Sequence, residues 1–173
     1  DWDEVLDSYR GTALQEYLEA MRDGDVTVAR KPQYVDRIPD QFDGPTRELL
    51  ARTDERGVLD SLVERLCIGP VVDQPIYTLS GGELQRVALA AALARDADFY
   101  FLDEITPYLD IGQRMTAARL VRELAEEENR SMLVVEPDLA LLDLLADALH
   151  IAYGEPSAIG DVTPPKSVKA GNT

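Results

Sequence analysis

Residues 79–85 read Leu79-Ser80-Gly81-Gly82-Glu83-Leu84-Gln85, and this heptad decides the fold. A Ser-Gly-Gly turn leading into a helix is built to meet an anion. The glycines let the backbone approach closely, the first helical turn offers unpaired N–H groups, and Ser80 adds a hydroxyl. Beyond it, Leu84, Val87, Ala88, Ala91 and Ala92 recur at the spacing of a buried helix face. A Gly-Gly pair alone is weak evidence, because most such pairs are plain loops. Its neighbours give it weight. The apolar run Phe99-Tyr100-Phe101-Leu102 ends in the carboxylates Asp103-Glu104. Upstream, Lys31-Pro32-Gln33-Tyr34-Val35-Asp36 sets a glutamine just after a short extended run, and downstream Tyr108-Leu109-Asp110 follows the carboxylates at once.

Residues 83–153 alternate helix and strand. The helix after the Gly-Gly turn is followed by the carboxylate strand and a helix from about Ile111 to Glu128. Next come a strand around Met132–Val135, a helix from about Asp138 to Ala146, and a last strand near Leu149–Tyr153. Short apolar strands alternating with helices predict an α/β fold, a mostly parallel sheet with helices packed on it. Ligands of such sheets bind at the C-terminal ends of strands, where Asp103, Glu104 and Pro137 fall. Residues 26–80 hold the glutamine strand and a helical subdomain whose apolar faces are supplied by Leu49, Leu50, Val58, Leu59, Leu62, Val63 and Leu66, with turns at Pro39, Gly44 and Pro45. Residues 1–22 read as two helical pieces broken near Arg10-Gly11, and the Gly-, Pro- and Ser-rich stretch 154–173 reads as a linker. His150, the single histidine, is expected within the last strand.

Taken together, the four stretches resemble the Q-loop, signature motif, Walker B and D-loop of an ABC-type ATPase. The wording of Lys31–Asp36, Leu79–Arg86, Tyr108–Asp110 and Tyr153-Gly154-Glu155-Pro156 resembles the first nucleotide-binding domain of the RNase L inhibitor family. Those are soluble twin-ABC ATPases that split ribosomes after termination, and the resemblance runs over essentially the whole chain. It implies a P-loop NTPase-like ABC domain over residues 1–153, with a helix-loop-helix insertion at 1–22 that touches the small ribosomal subunit. Residues 154–173 would begin the hinge to a second ABC half.

The resemblance also assigns chemistry. ATP and Mg²⁺ are the implied cofactors. Asp103 would hold Mg²⁺ through water, since magnesium takes a few carboxylates plus waters and phosphate oxygens. Glu104 would be the catalytic residue that orients or deprotonates the attacking water. Gln33 would sense Mg²⁺ and the γ-phosphate. Ser80, Gly81, Gly82 and Glu83 would cover the ATP held by the opposite half, and Asp110 would reach across that interface. Without the resemblance, Gln33 reads as a surface glutamine, the two acids as the start of a turn, and Asp110 as a cap for the helix at Ile111. Implied partners are the second ABC half, the ribosome and recycling factors. The family's iron–sulfur region is not expected here, because Cys67 is the only cysteine.

Three features depart from the family. No Gly-x-x-x-x-Gly-Lys-Ser/Thr occurs in the 173 residues, so the domain is expected to be incomplete at its N-terminus, truncated after the Walker A loop. Pro137 stands where the family has a histidine touching the γ-phosphate, and proline has neither a titratable nitrogen nor a backbone N–H. Ile105 stands where the family usually has proline. These departures imply that the chain by itself does not hydrolyse ATP. They also support an alternative, a degenerate ABC-like binding or regulatory module.

Acidic residues outnumber basic ones 33 to 17, for a formal charge of −16. Such a surface repels free nucleic acid and anionic membrane. Only Lys31, Lys166 and Lys169 are lysine; acid-rich, lysine-poor composition fits work in molar salt, and so a halophilic, archaeal source. The sequence shows no apolar run of membrane length and no signal peptide, so a cytoplasmic protein is expected. Unpaired strand edges in an incomplete sheet lead us to expect self-association.

Overall fold

The strand before Gln33 and two apolar runs from the alternating region pair side by side. β1 (Val28–Lys31), β2 (Phe99–Asp103) and β3 (Ser131–Val135) form a three-stranded parallel sheet in the order β1-β2-β3. The computed structural model describes residues 19, 22–24, 26–126, 130–145, 148–149, 152–155, 159–162 and 166–167. The expected helix-loop-helix at 1–22 and the expected position of His150 therefore lie outside the described residues, apart from Glu19 and Arg22.

Register decides which side chains share a face. Ala29 lies opposite Tyr100 and Tyr100 opposite Met132; Lys31 lies opposite Leu102 and Leu102 opposite Val134. Because side chains alternate along a strand, these six occupy one face, and it is the face that packs into the core. Tyr100 is fully buried, and its phenol donates to the Arg95 carbonyl while accepting from Arg130 at 2.9 Å. The other face leaves Val28, Leu133 and Val135 between 44% and 48% exposed, so the described helices cover the sheet on one side only.

The helix that packs on this sheet is α4 (Gly81–Leu93; α1 to α3 precede it), which is apolar on nearly every side and buries Leu84, Val87, Ala88, Leu89, Ala92 and Leu93. A helix apolar all round belongs in a core. Between β1 and α4 lie the short α1 (Ile38–Gln41), α2 (Thr46–Thr53) and α3 (Leu59–Arg65), the expected helical subdomain. Asp54 accepts from Val58 N–H and Leu59 N–H at 3.0 and 3.3 Å, satisfying donors at the start of α3. Glu55 and Arg56 N–H groups donate to the Ala94 carbonyl, which ties this subdomain to the C-terminal end of α4.

α5 (Ile111–Glu126) links β2 to β3, and α6 (Leu139–Leu145) follows β3 with Asp138 capping it through Ala140 N–H at 3.1 Å. Beyond α6 the structure differs from expectation. The single strand near Leu149–Tyr153 is two short ones, β4 (Ala148–Leu149) and β5 (Ala152–Glu155). The stretch after Gly154, expected as a linker, returns as β6 (Ile159–Val162) antiparallel to β5 and β7 (Lys166–Ser167) antiparallel to β4. Gly- and Pro-rich composition concealed the β-branched Ile159 and Val162, which favour a strand. Among the described residues no helix is long and apolar enough to cross a membrane.

Leu89 is fully buried at the centre of α4. Leu89→Ala is expected to lower the unfolding free energy by about 2–5 kcal/mol, read from urea midpoints. The exposed control Tyr77→Ala should shift it by no more than about 0.5 kcal/mol.

Candidate functional site

Parallel register brings the ends of β1 and β2 level, and three of the sequence-predicted residues, Gln33, Asp103 and Glu104, meet there. Gln33, two residues past β1, donates its side-chain amide to Glu104 Oε1 at 2.6 Å. Asp103 is the last residue of β2, half-buried and paired with Val135 of β3. Glu104 follows in the left-handed region at φ 51°, a conformation that costs a residue with a Cβ about 1 kcal/mol or more. Three hydrogen bonds to its backbone hold it there. Its N–H donates to the Val135 carbonyl at 2.8 Å, and its own carbonyl accepts from Lys31 Nζ and Gln85 Nε2, each at 2.7 Å. Lys31 Nζ also reaches the carbonyls of Pro32 and Asp103, both at 2.9 Å.

Sequence reasoning assigned no role to three of the side chains that build this turn. Lys31 is fully buried; burial drives its ammonium down to about 8, while the carboxylates of Asp103, Glu104 and Glu136 oppose the shift and keep it charged at neutral pH. Glu136 is buried at the exit of β3 and accepts from Ile105 N–H at 2.9 Å, Thr106 N–H at 3.2 Å and the Thr106 hydroxyl. Gln85 is buried too, with its Oε1 unpartnered among the described residues. One signal was available for Lys31: it is the only lysine before residue 166 in an arginine-based chain. Pro137, immediately after Glu136, is exposed.

The signature turn is a separate construction. Ser80 caps α4 in a reciprocal box: Glu83 N–H donates to Ser80 Oγ at 3.4 Å, and Ser80 N–H and hydroxyl both donate to Glu83 Oε2 at 2.7 Å. The Ser80 hydroxyl and then its N–H hold the Glu83 carboxyl below the usual carboxylate range. Arg86 fastens this turn to the helical subdomain, donating to the carbonyls of Gly82, Leu66 and Cys67 at 3.2, 2.8 and 2.9 Å. Tyr108, at φ 66° and 71% exposed, lies against the two glycines. A Cβ at Gly81 would stand 3.1 Å from the Tyr108 ring, and one at Gly82 would stand 2.9 Å from the Tyr108 carbonyl oxygen. The glycines are needed because the Tyr108 loop lies on them. Asp110 caps α5, accepting from Gln113 N–H at 2.8 Å while its own N–H donates to Gln113 Oε1 at 3.2 Å.

The strand-end donors suit a magnesium–nucleotide. Among the described residues no group of three or more His, Cys, Asp or Glu stands ready to hold a metal alone. One carboxylate, Asp103, and one amide, Gln33, form a hard-oxygen set of the kind that binds Mg²⁺ together with substrate phosphates and water. A cavity of about 430 Å³ lies between β1, α1, α2 and α4, but it is lined by residues such as Arg30, Phe42, Ala88 and Arg95 and by none of the predicted site residues.

A parallel sheet ending in Asp103-Glu104, a glutamine on the carboxylate and a capped Ser-Gly-Gly helix together define an ATP-binding-cassette domain of the P-loop NTPase fold. The family described as ABC transporter matches residues 9–107. An uncharacterized ABC transporter ATP-binding protein of Methanocaldococcus jannaschii, MJ0719, is 48% identical over 99% of this chain and 28% of its own length. The structure titled RNase-L Inhibitor superposes with a TM-score of 0.92 at 50% identity, covering 97% of this chain and 32% of that one. The crystal structure of archaeal ribosomal stalk protein aP1 with archaeal ribosome recycling factor aABCE1 gives the same TM-score, identity and coverage. The chain belongs to the ABC transporter family, in its RNase L inhibitor branch. It spans less than a third of the length of these relatives.

The two glycines make separable predictions. Gly82→Ala meets backbone and should destabilise the chain by about 1–3 kcal/mol whatever stands at 108. Gly81→Ala meets only a ring, so Tyr108→Ala should restore its stability. Chemical denaturation of the single and double variants checks both.

Proposed function

We propose that this chain is part of an ATPase that couples ATP binding and hydrolysis to the splitting of ribosomes. The observation that carries the reading is the Gln33 amide on Glu104 at 2.6 Å, at the end of the strand that supplies Asp103. In this reading Asp103 and Gln33 hold Mg²⁺, which when bound offsets phosphate charge. Glu104 takes the proton of the attacking water, and Gln33 fixes the direction of its carboxylate. Glu104 stays aimed because its backbone is hydrogen-bonded at both its N–H and its carbonyl, so less reorganisation is left for the reaction itself.

Ser80, Gly81, Gly82 and Glu83 present the capped start of α4 to a nucleotide held by a second ABC half, with Asp110 at the same interface. Exposed Tyr108 and Ile111, at 71% and 80%, border that surface and support its burial against a partner. The ribosome and its recycling factors are proposed as the larger partners, on the strength of relatives found with a ribosomal stalk protein and, in another structure, with Pelota on the ribosome. A cytoplasmic setting belongs to the same reading. The charge of −16 and the lysine-poor surface support a protein adapted to high salt, as in halophilic archaea.

A second reading, a non-hydrolysing module, is favoured by Pro137, which offers neither a titratable nitrogen nor an N–H at the exit of β3. One variant separates the two. In the protein that carries this segment, Glu104→Gln should lower ATP turnover about 10²-fold or more with nucleotide binding retained, measured by phosphate release and equilibrium binding. Turnover indifferent to this change, or absent in the parent, supports the module.

A further inference from the structure

Residues 103–106 are held from two sides by buried groups of opposite charge. On the carbonyl side, the fully buried Lys31 ammonium takes the oxygens of Asp103 and Glu104, and also that of Pro32. On the N–H side, the buried Glu136 carboxylate takes the amides of Ile105 and Thr106 and the Thr106 hydroxyl. Hydrogen bonds to an ionised partner are roughly twice as strong as neutral ones, and low local dielectric strengthens them further. Glu104 sits between the two sets at φ 51°.

We propose that Lys31 and Glu136 form an electrostatic clamp whose work is to position Glu104. Lys31 fixes the carbonyl of Glu104 and Glu136 fixes the next two amides, so the left-handed backbone between them has one setting. That setting points the Glu104 carboxylate at Gln33. Lys31 spans both sides of the site, because its third carbonyl belongs to the residue just before Gln33. Both are positioning residues; neither touches the reacting atoms. The role rests on the proposed role of Glu104.

Two neighbouring residues serve the clamp. Ile105 supplies an N–H that proline there would lack, and Glu136 accepts it at 2.9 Å. Pro137 restricts the backbone of the residue before it to extended conformations, which is Glu136 itself. Each side also supports the other through the segment between them, because loss of either set of hydrogen bonds leaves buried backbone groups unsatisfied.

Amide hydrogen exchange by NMR on the full chain tests the clamp directly. Glu136→Gln should speed exchange at Ile105 and Thr106 about tenfold or more, with Leu89 in α4 unchanged. Lys31→Met should do the same at Glu104, and Lys31→Arg and Glu136→Asp should recover part of the protection. In the ATPase that carries this segment, each single change should lower kcat about 10²-fold with little effect on KM. The double variant should cost no more than the worse single one, because the two act as a unit. Faster exchange throughout the sheet would reduce both residues to ordinary core supports and overturn the proposal; so would unaltered exchange at 104–106. Should Lys31→Met not fold, the near-isosteric Glu136→Gln decides alone. Absence of ATP hydrolysis in the parent would sink the reading of Glu104, while the exchange pattern would still decide the clamp.

Discussion

Parallel pairing of β1, β2 and β3 in one register is the constraint on which the rest depends. It brings Lys31, Asp103 and Val135 to the same end of the sheet, so that residues distant in sequence meet without a long loop. Three strands ending level turn three short exits into one site. Gln33 comes from the first, Glu104 from the second and Glu136 from the third. A one-residue slip of β2 would turn Tyr100 and Leu102 out of the core and move the carboxylates to the other face, so burial of these side chains enforces the site geometry.

Charge is used differently inside and outside this molecule. Outside, pairs such as Arg47–Asp73, Arg52–Glu48 and Arg65–Glu123 are largely exposed, and solvent screening leaves each a minor contribution to stability. Their surplus of carboxylates is a matter of solubility and salt rather than of fold. Inside, Lys31 and Glu136 are desolvated and each is hydrogen-bonded to backbone, so removal of either leaves buried backbone groups without their partner. In the proposed clamp the two charges act on one stretch of backbone, residues 103–106, from its carbonyl side and its N–H side.

Much of this was legible in the sequence because the motifs carry their own geometry. Ser80 at a helix start, apolar Phe99–Leu102 and the paired acids after it are local signals, and local signals survive without tertiary information. The strand alternation gave the sheet, and the Asp110 cap was readable from its place before Ile111. Glu136 and Lys31 were not readable as site builders. A glutamate after an apolar strand looks the same in sequence whether it faces water or a turn of the chain thirty residues away. The close seat of Tyr108 on Gly81 and Gly82 was hidden for the same reason, since it is a contact between loops. Beyond residue 150 composition misled, because a few β-branched residues among Gly and Pro were enough for β6 to pair with β5.

The measurement that bears most directly on a magnesium–nucleotide site at these strand ends is paramagnetic broadening by Mn²⁺ and ATP. It would be followed on backbone amide resonances in molar KCl, where screening suppresses adventitious binding to the acidic surface. The fold predicts selective broadening at Gln33, Asp103, Glu104 and Ile105, lost in Asp103→Asn. Broadening spread evenly over the acidic surface, or unchanged by Asp103→Asn, would contradict a metal site at the ends of β1 and β2.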